Sequence, residues 1–229
     1  MVVQIGPALE GFLQKSITTI ADTARVVALA DADNVTRLEA REFHHHTKNH
    51  TDTHVHVGGN DPHMWLDPQN AIAWVDVLTE ELQNSDPDNR DIYASNRAKV
   101  KHKLGILQED MSNTLAAAAN AKFIALHDSF QYLENRFQLG TAGAMLDSNE
   151  QRIGVASLRR LARLSENTEI RCLVSSPETR ESAFRSLTGG VGVKPVEIDI
   201  LGARLEPGAD LYFQMMQGVA KRLAACLNQ

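Results

Sequence analysis

Apolar positions come along this chain in short blocks separated by polar punctuation, and the blocks differ in period. Residues 1–5 read as a short buried strand that Gly6-Pro7 ends. Residues 8–17 follow with Leu9, Phe12, Leu13 and Ser16 on one helical face, and Val26-Val27-Ala28-Leu29 is a second short strand. Residues 31–60 hold few apolar positions and many Asp, Asn, Thr and His. They predict a loop longer than the usual maximum of about 12 to 15 residues, and a loop of that length is functional or disordered. Helical spacing returns at Pro68, with Ile72, Val75, Leu78, Thr79 and Leu82 in step until Ser85-Asp86-Pro87 interrupts it. A second helix over about residues 88–119 contains no Pro and only Gly105, and Val100, Leu104, Leu107, Met111 and Leu115 form one stripe. At 1.5 Å per residue this is a rod about 45 Å long, enough to leave one domain and join another. A coiled coil is the other reading, but the stripe is short and its first half is polar.

The second half alternates strand and helix. Residues 122–126 form a compact strand with His127-Asp128 at its C-terminal end, and a helix carrying Phe130, Leu133, Glu134 and Phe137 runs until Gly140. Residues 156–164 predict a basic amphipathic helix whose Arg159, Arg160 and Arg163 read as a solvated face. A strand over residues 171–174, a helix opening at Ser176-Pro177-Glu178, a glycine turn (Gly189-Gly190, Gly192) and a strand over residues 193–198 ending in Asp199 come next. The glycine turn lacks the Lys-Ser/Thr of a phosphate loop. After the turn at Glu206-Pro207-Gly208, residues 211–227 make the last helix. Such alternation argues an α/β fold with a parallel sheet covered on both faces.

Composition narrows the function without fixing it. The 229 residues allow one large domain or two small ones, and 43% hydrophobic with 23% charged residues is ordinary for a soluble globular protein. The net charge of −6 does not favour nucleic acid. No apolar run approaches the roughly 18 residues of a membrane span, and no basic leader or cleavage site opens the sequence. Cys172 and Cys226 fit either one disulfide or two inert buried thiols.

The chemistry lies in the histidines. His44, His45, His46, His50, His54 and His56 crowd the loop, which either gathers metal weakly or is merely polar. Asp67-Pro68 reads as an N-cap followed by proline at the first helical position, so His63 sits just ahead of a helix and between two prolines. His127 stands beyond the C-terminal end of a strand, where open α/β sheets bind ligands, with a structural histidine as the alternative. Asp199 also follows a strand. A cleft between two α/β lobes would bring His63, His127 and Asp199 together, and two imidazoles with a carboxylate suit zinc, manganese or iron. His102, mid-helix among charges, reads as solvated.

Several stretches carry a resemblance. Ile5-Gly6-Pro7 with Leu9-Glu10 and Phe12-Leu13, then Asp61-Pro62-His63-Met64-Trp65-Leu66-Asp67-Pro68, then Phe123-Ile124-Ala125-Leu126-His127-Asp128-Ser129-Phe130, then Ile198-Asp199-Ile200-Leu201-Gly202 match in order. They resemble "vGpxlExfl", "DPHxWLsP", "fvvfHdaygYf" and "lDplG" of the cluster A-I solute-binding proteins, the metal receptors of bacterial ABC importers. The likeness is especially to the zinc-specific, ZnuA-type members, which have a similar histidine-rich loop. Ile200 departs from the usual proline.

The resemblance implies a two-lobed α/β fold with one long rigid helix joining the lobes and metal in the cleft. Residues 1–87 would be a partial N-terminal lobe with the histidine-rich loop at 41–60, residues 88–119 the linking helix, and residues 120–229 the C-terminal lobe. His63 and His127 fall on two histidine ligands, and histidine at position 127, where manganese members carry Glu, favours zinc. Asp199 falls on the C-lobe carboxylate. Cys172 and Cys226 fall where some zinc members have a disulfide, which tips the earlier alternatives toward a bridge and a periplasmic parent. The family's first ligand histidine lies upstream of the segment matching Met1–Pro7, and no histidine precedes His44. The chain is therefore expected to be a fragment or mis-started reading of a longer protein with a signal peptide. The implied function is a monomeric, non-enzymatic zinc receptor that delivers Zn2+ to ABC permease subunits. A manganese or iron receptor of the same fold is the near alternative. A zinc hydrolase is the alternative of another class, against which no His-Glu-x-x-His helix is present and Glu134 is the only acid near His127 to propose as a base.

Overall fold

A computed structural model describes residues 1–41, 59–146, 159, 162–164, 166, 170–177 and 194–228. The six loop histidines, Arg160, the helix expected to open at Ser176-Pro177-Glu178 and the Gly189–Gly192 turn lie wholly or largely outside these residues. Of the basic helix, residues 159 and 162–164 are described; they are helical, and Arg159 and Arg163 are exposed, as a solvated face requires.

β1 (Val2–Gln4) and β2 (Val26–Ala28) pair in parallel, with Val2 opposite Val26 and Val3 opposite Val27. Between them the expected single helix is broken into α1 (Pro7–Glu10), a 3-10 turn (Gly11–Leu13) and α2 (Gln14–Ile20). The Glu10 carboxylate accepts from the Ile5 and Gly6 backbone N–H groups and ties the start of α1 to the end of the first strand. None of residues 7–20 is buried, and Phe12 and Ile20 are 79% and 83% exposed. The periodicity of Leu9, Phe12 and Leu13 shows which face would pack. It does not create a partner for it.

α3 (Pro68–Ser85) begins at the residue its sequence dictates. The Asp67 side chain accepts from Gln69 N–H, and Pro68 occupies the first turn, where its missing donor is harmless. The rod is α4 (Arg90–Leu115), 26 residues or roughly 39 Å, with 3-10 turns at Pro87–Asn89 and Ala116–Ala118 using up the remainder of the predicted span. Leu104, Leu107, Met111 and Leu115 are buried, while Val100 is not.

Four parallel strands form the larger sheet, in the order β4 (Gly140–Leu146), β3 (Lys122–His127), β5 (Ile170–Ser175), β6 (Lys194–Glu197). Phe123, Ile124, Ala125 and Leu126 are all buried, as a parallel strand covered on both faces demands. Phe123 and Ala125 join Cys172 and Val174 in the main core, and Ile124 and Leu126 join Met145 and Leu173 on the other face. α5 (Gln131–Phe137) links β3 to β4, and α6 (Leu211–Leu227) closes the chain against β5 and β6.

α4 packs on both α3 and α6. Asp76 of α3 holds Arg97 and Lys101, and Lys103 reaches Asp210 and lies over the Phe213 ring. Exposed pairs of this kind contribute little singly. The buried leucines carry the packing, and the charges set which faces meet. Cys172 of β5 and Cys226 of α6 are both buried and joined as a disulfide, with Cα atoms 6.0 Å apart.

Candidate metal centre

The site grows from the segment between the loop and α3. The segment ending at Arg41 and the one starting at Gly59 are joined by an antiparallel bridge between Glu39 and Asn60 and by Asp61 N–H donating to Leu38 C=O. Asp61 is fully buried. Its Oδ1 accepts the backbone N–H of His63 at 2.9 Å and lies 2.7 Å from His63 Nδ1. A carboxylate only accepts, so the ring proton of His63 is assigned to Nδ1, and Nε2 presents a lone pair. Tyr132 OH donates to Asp61 C=O and accepts Leu38 N–H. Burial pushes this phenol up to about 12, so it remains a hydroxyl donor. Met64–Leu66 make a 3-10 turn with Met64 and Leu66 buried. Trp65 tilts against His63 at 5.3 Å between centroids and donates its indole N–H to Ile200 C=O, while Tyr212 OH donates to Trp65 C=O. Arg136 of α5 grips the Asp67 carboxylate with two bonds of 2.8 Å. The His63 segment is thus fixed from α5, from α6 and from the loop after β6.

His127, the last residue of β3, meets this segment. Its Nε2 lies 3.3 Å from Nε2 of His63, with the rings edge-on at 70°. The sequence expectation that these two imidazoles, 64 positions apart, come together is met. Two nitrogens on one tetrahedral zinc, each bonded at about 2.05 Å, stand about 3.3 Å apart. The 3.3 Å spacing fits a hydrogen bond between the rings and is also compatible with a shared zinc ion. With the His63 proton at Nδ1, a hydrogen bond between the two Nε2 atoms needs the proton on His127 Nε2, and a metal held by both rings would displace it.

The neighbouring residue, Asp128, is fully buried. Arg41 bonds both its oxygens and also both oxygens of the buried Glu134, which accepts the Thr141 hydroxyl as well. Burial raises the Asp128 carboxyl above its usual range, and the Arg41 guanidinium restrains the rise. Burial pulls Arg41 down, but the bonds to Glu134 and Asp128 outweigh it and the guanidinium is raised overall. Arg41→Met strands two buried carboxylates. It is expected to lower the unfolding free energy by about 2 to 3 kcal/mol, less than a fully buried pair because Arg41 is partly exposed. The urea midpoint measures this, and an unchanged midpoint would contradict it.

Asp199 is bonded within its own turn. Its carboxylate accepts the backbone N–H groups of Leu201, Ala203 and Arg204; burial would raise its pKa, but these bonds hold it below the usual range. Among the described residues no group of three His, Cys, Asp or Glu side chains is set to hold a metal, so the structure brings together His63 and His127 without Asp199. The local turn of Ile198–Gly202 claims this carboxylate. His102 is exposed, as read. Glu134, the one acid offered as a base, is committed to Arg41 and Thr141. Sequence reasoning missed Asp61 and Arg41 as supports. Asp61 stands two residues before His63, which is a usable signal, but Arg41 is 87 residues from Asp128 and gave none.

Known proteins match along the whole chain. The sequence profile of a family described as "Zinc-uptake complex component A periplasmic" matches residues 1–226. The high-affinity zinc uptake system protein ZnuA of Brucella suis is 31% identical over 252 residues, covering 98% of this chain and 75% of that protein. A crystal structure of ZnuA superposes with a TM-score of 0.78 at 20% identity, covering 98% of this chain and 78% of that one. FpvC from Pseudomonas aeruginosa, solved in complex with Mn2+, gives 0.82 at 18% identity, covering 99% and 79%. Both structural likenesses speak to the fold, an α/β architecture of helices on parallel sheets.

Proposed function

The chain belongs to the ZnuA family of periplasmic zinc-uptake components, and from that membership we propose that it is a high-affinity zinc receptor that hands Zn2+ to an ABC permease. The ion is cargo. The observation that carries this reading is the meeting of the two Nε2 atoms at 3.3 Å, a separation compatible with a shared tetrahedral zinc. Imidazole donors also favour zinc over manganese, which prefers oxygen. In this reading the protein is a periplasmic monomer. Residues 1–87 and 120–229 act as two lobes with the helical span 88–119 between them, and the contacts of α4 with α3 and α6 support that division. His63 and His127 hold the ion, and Asp199 enters only by releasing its loop amides.

The reading predicts one zinc per chain in a competition titration against a chromogenic chelator, with manganese bound at least a hundredfold more weakly in line with the ordering of divalent affinities (order of magnitude). Manganese bound as tightly as zinc would move the assignment to a manganese receptor. The protein performs no bond chemistry in this reading, since a receptor needs no base and Glu134 is occupied. No turnover is expected on ester, peptide or lactam substrates with zinc supplied. Turnover lost on His127→Ala would replace the receptor by a hydrolase.

A further inference from the structure

We infer that Asp61 is a positioning residue for the metal. Its carboxylate locks His63 in the tautomer that offers Nε2, and its charge stands behind the ring to offset a dication. This rests on the zinc reading above. Three observations carry it. Oδ1 contacts His63 Nδ1 at 2.7 Å, and both groups are buried, so water does not compete for the bond. The same oxygen accepts the His63 backbone N–H, which fixes the ring relative to its own main chain. The other oxygen, Oδ2, is buried and has no hydrogen-bond partner among the described residues. A buried carboxylate with one bare oxygen is unfavourable unless nearby positive charge compensates it. A divalent cation on the far side of the imidazole supplies that charge through the ring. Carboxylates placed on the outer nitrogen of a ligating histidine fix its orientation and raise its basicity.

A bland alternative is a turn role alone, because Asp61 bonding the N–H two residues on is an ordinary turn device. Asp61→Asn isolates the charge, since asparagine builds the same turn and accepts the Nδ1 proton with the same oxygen but carries no charge. Asp61→Ala removes turn and charge together.

The test uses the full chain. Nitrogen-15 long-range correlation spectra of the metal-free wild type read the tautomer of His63, and chelator competition reads the zinc affinity of wild type, Asp61→Asn and Asp61→Ala. The expected spectrum is that of an Nδ1–H imidazole. Zinc affinity is expected to fall by about tenfold in Asp61→Asn and by up to about a hundredfold in Asp61→Ala, with circular dichroism of Asp61→Asn matching wild type. Tight wild-type binding with Asp61→Asn within twofold of it overturns the inference, because the carboxylate's charge then does nothing for the metal. An Nε2–H tautomer in the metal-free wild type overturns it independently of any variant. Wild-type protein that takes up no zinc overturns the zinc reading first and this inference with it.

Discussion

Replacing His63 with alanine is expected to lower zinc affinity by more than about a hundredfold, beyond the effect of losing an outer partner such as Asp61. His127→Ala is expected to do the same. The reason is geometric. The two Nε2 atoms face one point from elements of different origin, one from the turn before α3 and one from the end of β3. A single imidazole retains no chelate, and among the described residues Asp128 and Glu134 are held by Arg41 and the Asp199 oxygens are engaged with their own loop. Asp199→Asn is therefore expected to change affinity by less than about tenfold, since Asn can still accept loop amides. Deleting residues 44–56 is expected to weaken binding less than His63→Ala does. Chelator competition on the variants ranks them, and a larger loss from the loop deletion would place the primary site among the loop histidines.

Removing the disulfide is expected to be the largest stability change that leaves the metal centre intact. Cys172 and Cys226 close 54 positions of chain, and the chain-entropy relation gives about 4 kcal/mol for a loop of that size. The bond joins β5 to α6, and Cys172 sits opposite Phe123, four positions before His127 on β3. Cys172→Ala with Cys226→Ala should shift the guanidinium midpoint sharply while zinc affinity changes little. Equal midpoints for the variant and the oxidised wild type would show that the bridge adds nothing to the fold.

How far the sequence could be read depended on whether a feature was local. Asp67-Pro68 marked the start of α3 to the residue, because an N-cap and a first-turn proline act within one turn. Val-Val-Ala and Phe-Ile-Ala-Leu announced β2 and β3 by composition. β4 went unread. Gly140-Thr-Ala-Gly-Ala-Met-Leu has weak strand preference, and only parallel pairing with β3 makes it a strand. The helix over residues 8–17 was overread for the opposite reason, since its apolar spacing is real but its face stays exposed. At the site, His63 and His127 were legible through their motifs and their positions at element ends. Asp199 looked equivalent by position after a strand, but the backbone amides of its own turn compete for the carboxylate, and spacing does not reveal that competition. Arg41 was invisible because its partners lie 87 and 93 residues away and are chosen by burial.

Anomalous diffraction at the zinc edge, on crystals of the zinc-loaded protein, tests the shared-ion geometry most directly. One strong peak is predicted, about 2.0 to 2.1 Å from Nε2 of both His63 and His127. A strongest peak elsewhere, with no peak within bonding distance of either Nε2, would contradict the account.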